Sequence, residues 1–358
     1  MVGGVTFAPM FVEVRQDDLR STRVVDSVPT AGAGHARLRI ERFSLTANNV
    51  TYAAFGAAMR YWDFFPAAAE GWGRVPVWGF ANVDVSDVAG LDEGRRVYGY
   101  FPMGSHLVVR PERLTASGFV DAAPHRATLP PVYNQYQLVE PGDRENETAI
   151  LRPLFTTSFL IDDWLADEQF FGATQAVLSS ASSKTALGLA YLLSQRNDVS
   201  VIGLTSPRNA PFVEEVGYYD ETVTYDAIAT LASTPTVFVD MAGGGNTMAA
   251  VHNHFAADLR SSSIVGATHW EESAPTAGLP GPAPTFFFAP DRVVKRRADW
   301  GGDAFDARVD AAWSSFLESV DGWLQVVERR GPDELVRTWL EVVGGAVAPA
   351  VGYVVMPA

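Results

Sequence analysis

The residues from Ala176 to Ala190, Ala-Val-Leu-Ser-Ser-Ala-Ser-Ser-Lys-Thr-Ala-Leu-Gly-Leu-Ala, read as a short apolar strand, a bend of small residues and a helix. A bend of this form turns backbone N–H groups and the positive end of a helix toward a phosphate. Ser180, Ser183 and Ala186 stand at the three glycine places of a G-x-x-G-x-x-G turn, and Ser182 and Thr185 add further hydroxyls. Without the glycines, the motif alone also fits a capped helix start in any α/β protein. Lys184 puts a cation into the first helical turn, where the helix dipole disfavours it unless an anion arrives. It is one of two lysines, with Lys295, among 27 basic residues. The Ser-Lys-Thr triplet is not a triphosphate loop, because Leu178 and Ser183 stand where that loop needs glycine.

The following strand ends Val201-Ile-Gly-Leu-Thr-Ser-Pro-Arg-Asn209. An enzyme that selects NAD places a carboxylate here to bind the ribose hydroxyls. This chain offers Thr205, Ser206, Arg208 and Asn209, with no carboxylate before Glu214. Hydroxyls beside an arginine suit a 2′-phosphate, so the expected cofactor is NADP(H); the plainer reading is a solvated arginine at a helix start. Other chemistries find less support. There is no cysteine, which removes disulfides, thiolate catalysis and cysteine-held zinc. His252 and His254 lie two apart on an expected helix, so their side chains diverge and read as a solvated face. His106 and His269 sit near strand ends, where a structural histidine is the plainer reading. No G-x-S-x-G elbow marks a hydrolase.

The elements around these residues follow from periodicity. Ala36 to Phe43 alternates apolar and charged residues, and Val75 to Val88, Arg96 to Phe101 and Ser105 to Val109 read as further strands. Pro124 to Asn146 holds four prolines and reads as an irregular connection. From about residue 150 the pattern changes. A helix is expected over Thr157 to Gln169, then strands at Gln175–Ser179, Val199–Leu204, Thr222–Tyr225, Thr236–Met241 and Ser262–Thr268. Helices are expected between them at Lys184–Gln195, Ala210–Val216 and Met248–Leu259. Such alternation implies parallel βαβ units in an open, doubly wound sheet. Ser273 to Pro284 reads as a loop, Phe305 to Val327 as the longest helix, Asp333 to Val342 as a helix behind Pro332, and Gly352 to Met356 as a terminal strand.

Composition bounds the partners. The chain has 358 residues, 47% hydrophobic and 19% charged, and a net charge of −15, so it can bury a sizeable core and repels nucleic acid and anionic membranes. No run of about 18 apolar residues appears, and the first ten residues lack the pattern of a signal peptide, so a cytoplasmic location is expected.

Six blocks, in order and spacing, resemble the medium-chain dehydrogenase/reductase superfamily. Ser44-Leu-Thr-Ala-Asn-Asn-Val-Thr-Tyr52 resembles the segment whose asparagine lies beside the nicotinamide, with Asn49 as the match. Pro76 to Val88 resembles the G-x-E-x-x-G-x-V-x-x-V region, and Gly94-Arg-Arg-Val-Tyr-Gly-Tyr100 the G-D-R-V-Y-G strand. Leu154-Phe-Thr-Thr-Ser-Phe159, which contains Thr157, resembles the start of the nucleotide domain. Val239-Asp-Met-Ala-Gly-Gly244, which contains Gly243, and Ser263-Ile-Val-Gly266 resemble its later strand ends on the cofactor side. The likeness is to the zinc-free, quinone-oxidoreductase-like branch, and within it to a bacterial family that carries a domain of unknown function. Gly79-Phe80-Ala81 stands where zinc alcohol dehydrogenases carry G-H-E, which argues against catalytic zinc.

The resemblance implies a Rossmann-type doubly wound sheet plus a GroES-like β-barrel domain completed by the C-terminus. The expected boundaries are 1–153 for the first part of the catalytic domain, 154–287 for the dinucleotide-binding domain and 288–358 for the return. It implies a homodimer by analogy, and cofactor contacts at Thr157 and Gly243. Hydride transfer without a metal needs orientation and a proton donor. Tyr52 on the active-site segment is the candidate donor, with a core tyrosine as the alternative. Tyr133 and Tyr136 in the proline-rich connection are candidate substrate contacts or packing residues. Lys295-Arg-Arg297 is either a set of surface ion pairs or a receiver for an anionic substrate such as an acyl-coenzyme A. The leading expectation is an NADPH-dependent reductase acting on an enone, quinone or enoyl-type carbonyl; the alternatives are a non-catalytic binding member of the fold and a lyase.

Overall fold

The computed structural model describes residues 8–266 and 278–357. The chain forms two compact units, Met1–Ile150 with Gln325–Ala358, and Leu151–Leu324.

The second unit carries the parallel sheet. Its strands are β1 (Gln175–Leu178), β2 (Ser200–Thr205), β3 (Glu221–Thr224), β4 (Thr236–Asp240), β5 (Leu259–Ile264) and β6 (Thr285–Phe286), in spatial order 3-2-1-4-5-6. All neighbouring pairs are parallel. β1 and β4 are buried along their whole length, as expected of central strands covered on both faces. The order reverses between β1 and β4, and the crevice outside the carboxyl ends at such a point is where this architecture receives ligands.

The helices of this unit are α1 (Glu145–Asp167, which belongs to it from Leu151 on), α2 (Lys184–Ser194), α3 (Ala210–Val216), α4 (Gly245–Phe255), α5 (Ala289–Trp300) and α6 (Gly302–Ser319). α1 starts twelve residues before the expected helix, and Pro153 lies inside it rather than at its start. A left-handed turn follows, with Gln169, Phe170 and Phe171 at φ 50°, 50° and 53°, so the helix stops short of Gln169.

The C-terminal boundary differs from the expected 288. α5 and α6 stay with the second unit: Arg296 of α5 pairs with Asp163 of α1 at 2.5 Å, and Phe316 of α6 stacks on Phe155 of α1 at 4.8 Å. The expected helix to Val327 ends at Ser319, and Gln325–Arg330 is a strand. The return to the first unit therefore begins at Gln325.

In the first unit, a nine-stranded sheet is centred on Ala36–Leu45, Pro76–Ser86 and Arg96–Pro102, all antiparallel neighbours. The C-terminal strand Val351–Met356 pairs antiparallel with Ala36–Leu45 and parallel with Gln325–Arg330, so the chain end completes this sheet. Gly79 is required where two of these strands meet, because a Cβ there would lie 2.1 Å from the Arg42 carbonyl oxygen. The connection 124–146 is more regular than its prolines suggest. It holds two short 3-10 turns and the strand Gln135–Val139, which pairs with Arg96–Pro102. Tyr136 is buried and Gln137 exposed in that strand, an alternation too short to stand out between flanking prolines.

Candidate functional site

The small-residue bend sits at the carboxyl end of β1, beside the β1–β4 reversal. Ser180 has φ +48°, a left-handed conformation that glycine adopts freely and serine does not. The Ser183 N–H donates to the Ser180 carbonyl at 2.7 Å and the Ala181 N–H to the Leu204 carbonyl at 2.9 Å, closing the turn. Ser183 is the N-cap of α2, its hydroxyl accepting from the Ala186 N–H at 3.3 Å. Among the described residues, the Ser182 and Thr185 N–H groups donate to no protein acceptor, as the first amides of a helix do when a ligand or water completes them. Lys184 is half-buried, and desolvation pushes its ammonium down to about 8. The bend thus gathers two helix-start amides and an amine at the carboxyl end of the central parallel strand.

Neighbouring elements hold this bend. Ser158 on α1 donates to the Thr185 carbonyl at 2.7 Å, and Gly188 lets α1 and α2 approach, since a Cβ there would meet the Ser158 oxygen at 2.9 Å. Thr157, the neighbouring candidate, donates instead to the Pro153 carbonyl of its own helix. At the end of β4, buried Asp240 accepts from the Ser179 hydroxyl at 2.6 Å and from the Ala242 and Gly243 N–H groups, tying the two central strand ends together. Gly243 has φ +73° and belongs to that tie. At the end of β2, Thr205 is buried and Ser206 half-buried. Arg208 is exposed and, among the described residues, makes no hydrogen bond or ion pair.

The first unit presents a different chemistry. The helix Ala47–Ala54 carries both catalytic candidates. Asn49 is not presented to a ligand: its Oδ1 accepts from the Thr46 N–H at 2.8 Å and its Nδ2 donates to the Pro76 carbonyl at 2.9 Å. Local capping and anchoring to the next strand use the side chain that the resemblance places beside a nicotinamide. Asn48, half-buried, is the asparagine whose side chain neighbours Tyr52. Tyr52 enters an aromatic cluster with Tyr61, Tyr100 and Tyr133, at ring distances of 4.7, 5.6 and 6.3 Å. The Trp78 indole N–H donates to the Tyr52 hydroxyl at 3.3 Å, and the Tyr61 and Tyr133 hydroxyls lie 3.4 Å apart. Burial raises all four phenols, so each stays neutral and able to donate a hydrogen. Tyr136 is a core residue instead. Its ring stacks on Phe119, and its hydroxyl donates to the Tyr100 carbonyl at 2.6 Å and accepts from Arg126 at 3.1 Å.

The remaining motifs resolve into structure. Lys295 and Arg296 pair with Asp167 and Asp299, and Arg297 with Asp306, so the basic run is an ion-pair network rather than an open anion receiver. His252 is buried, not solvated: its ring nitrogens contact the Pro280 carbonyl at 2.8 Å and the Ser262 hydroxyl at 2.9 Å. His106 meets the Ser105 hydroxyl at 2.9 Å and lies 3.9 Å from Asp84, but Ser105 is wholly buried and bonded to Met10, which removes it as a nucleophile. His269 lies outside the described residues, as do Thr268 and part of the expected loop 273–284. Among the described residues, no helix is long and apolar enough to cross a membrane, and no group of three acidic or histidine side chains has ligand geometry.

The sequence marks the bend and places Arg208 at the next strand end, but it gives no sign of the contacts made by Tyr219, Tyr225, Asp240, Tyr61, Tyr100 and Trp78. Their contacts join residues distant in sequence, and an isolated tyrosine carries no motif.

No curated protein matches the chain in sequence. The chain is similar in structure to a putative NADPH:quinone reductase from Mesorhizobium loti, at 13% identity and TM-score 0.64 over 99% of this chain and 100% of the other. It is also similar to CurA from Vibrio vulnificus in complex with NADPH, at 14% identity and TM-score 0.62 over 94% of each chain. A third similar structure is TarJ from S. aureus in complex with NADPH, at 9% identity and TM-score 0.60 over 98% and 99%. The fold is that of the medium-chain dehydrogenase/reductases, a Rossmann-type unit and a GroES-like unit. The family model described as "Protein of unknown function (DUF2855)" matches residues 43–348, and the chain belongs to that family.

Proposed function

We propose that this protein is a zinc-independent, NADPH-dependent reductase that delivers hydride to a conjugated carbonyl compound such as an enone, a quinone or an enoyl derivative. One observation carries the reading: a diphosphate-type bend at the carboxyl end of the central parallel strand, with the exposed Arg208 at the next strand end in place of a ribose-binding carboxylate. The similar structures solved with NADPH support it.

NADPH, when bound, supplies the hydride. The Ser182 and Thr185 amides and the Lys184 ammonium would hold its diphosphate, and Ser206 with Arg208 would hold its 2′-phosphate. Tyr52 supplies the proton. A neutral phenol surrounded by rings donates to a carbonyl oxygen as negative charge develops there, and apolar surroundings strengthen that hydrogen bond. Hydride plus this proton completes a two-electron reduction. The partner is a small molecule; a net charge of −15 disfavours nucleic acid.

Fluorescence titration with NADPH and NADH, followed by oxidation assays with quinones and enones, tests the reading. Saturable binding of NADPH in preference to NADH, with acceptor-dependent oxidation, is the expected result; equal binding or none refutes it. A second reading, a nucleotide-binding protein without turnover, is favoured by the close packing of Tyr52, which is 6% exposed. Tight NADPH binding with no oxidation by any acceptor selects it.

A further inference from the structure

We propose that Tyr219 and Tyr225 are positioning residues that brace the phosphate bend, doing with two hydroxyls what glycine does by conformational freedom. This rests on the nucleotide reading above for its ligand, but not for its geometry.

The bend keeps serine where the left-handed conformation favours glycine: Ser180 has φ +48°. Steric conflict between Cβ and the following carbonyl opposes that conformation in any L-residue, so something outside the bend must hold it. The Ser180 N–H donates to the Tyr225 hydroxyl at 3.0 Å. One residue on, the Ala181 carbonyl accepts from the Tyr219 hydroxyl at 2.9 Å. Backbone groups of two consecutive residues are therefore gripped by two phenols, one accepting and one donating.

Both tyrosines flank β3, Tyr219 before Glu221 and Tyr225 after Thr224, so one short strand supplies the whole brace. β2 is shaped to admit it. At Gly203 an added Cβ would lie 2.8 Å from the Tyr219 ring and 2.9 Å from the Ala181 side chain, so glycine there seats the phenol under the bend. Burial raises both phenols, which keeps the Tyr219 hydroxyl protonated as the donor its contact needs. A third strut comes from Asn209, whose Nδ2 donates to the Ser182 hydroxyl at 3.1 Å.

The brace also divides the bend. The Ser180 amide belongs to Tyr225 and the Ala181 amide to Leu204. A diphosphate is left the α2 side of the turn, where the Ser182 and Thr185 amides point. The glycines of the usual fingerprint are dispensable here because their conformational role has moved to β3.

The test compares the wild type with Tyr225→Phe, Ser180→Gly and the double variant. NADPH dissociation constants are measured by fluorescence, and Ser180 amide exchange by NMR in the nucleotide-free protein. Tyr225→Phe is expected to weaken NADPH binding about fivefold, as loss of one hydrogen bond predicts, and to speed Ser180 exchange by a similar factor. Adding Ser180→Gly is expected to restore binding to within about twofold of the wild type, because glycine adopts the conformation unaided. A purely structural tyrosine would not be rescued from within the bend. Unchanged binding and exchange in Tyr225→Phe, or a double variant no better than Tyr225→Phe, overturns the proposal. So does tighter binding in Tyr225→Phe, which would make the hydroxyl a competitor of the nucleotide. If the wild type binds no nucleotide, the function proposed above falls, and the exchange rates alone then decide the brace.

Discussion

Lys184 gives the sharpest test of the phosphate bend. Its ammonium is desolvated at the N-terminus of α2 and held down to about 8, the reverse of what a cation in water shows. The sign follows from which form binds. The protonated amine attracts a diphosphate and the neutral amine does not, so affinity is nearly full at pH 7 and is lost as pH rises through 8, while a bound diphosphate would raise the depressed ammonium back toward its ordinary value. If only the protonated form binds, the dissociation constant scales as one plus ten to the power of pH minus 8. The factor is about 1.1 at pH 7 and about 11 at pH 9, a tenfold weakening over two units. The 2′-phosphate of NADPH does not confuse this window, since its second ionisation, near 6, is about nine-tenths complete at pH 7 and its remainder strengthens binding rather than weakening it. The assay is NADPH fluorescence titration at half-unit intervals from pH 7 to 9.5 in the wild type and Lys184→Met. The variant is expected to bind about tenfold more weakly at pH 7 and to show a flat profile. A flat wild-type profile, or the same slope in both proteins, refutes the assignment of Lys184 to the diphosphate.

Other consequences are equally concrete. Arg208→Ala is expected to weaken NADPH about tenfold and leave NADH unchanged, the value of one exposed charge-assisted contact; loss of both alike in titration refutes its role at the 2′-phosphate. Tyr52→Phe is expected to lower kcat roughly 100-fold with an accepted enone while NADPH affinity holds, and steady-state kinetics with an unchanged kcat would remove the phenol from proton transfer. Asn49→Ala is expected to destabilise by about 1–3 kcal/mol, because the Thr46 amide and Pro76 carbonyl lose their partner, with no effect on NADPH affinity. Thermal melts and binding titration separate that structural role from a cofactor contact.

The alternation of apolar runs after residue 150 determined the parallel sheet, since buried central strands and amphipathic crossovers leave a one-dimensional signature. The bend and Arg208 were legible for a similar reason: they lie at fixed offsets from strand ends, within one βαβ unit. The return of the C-terminus to the first sheet was also readable from Gly352 to Met356, although its starting point at Gln325 was not, because helical spacing in α6 runs on past Ser319.

Tertiary structure alone decided how side chains of one type divide their work. Nothing local separates Asn49 from Asn48, yet the turn of helix between them sends one into a cap and the other toward Tyr52. Tyr133 and Tyr136 are three apart in the same proline-rich stretch, and strand pairing buries the second in the core while the first joins the phenol cluster. Tyr225 reaches Ser180 across 45 residues because β2 lies between β1 and β3, a neighbourhood created by sheet order. Periodicity records which face of an element is buried, whereas the partner of a hydroxyl or amide is set by which elements become neighbours, and that is known only once the chain has folded.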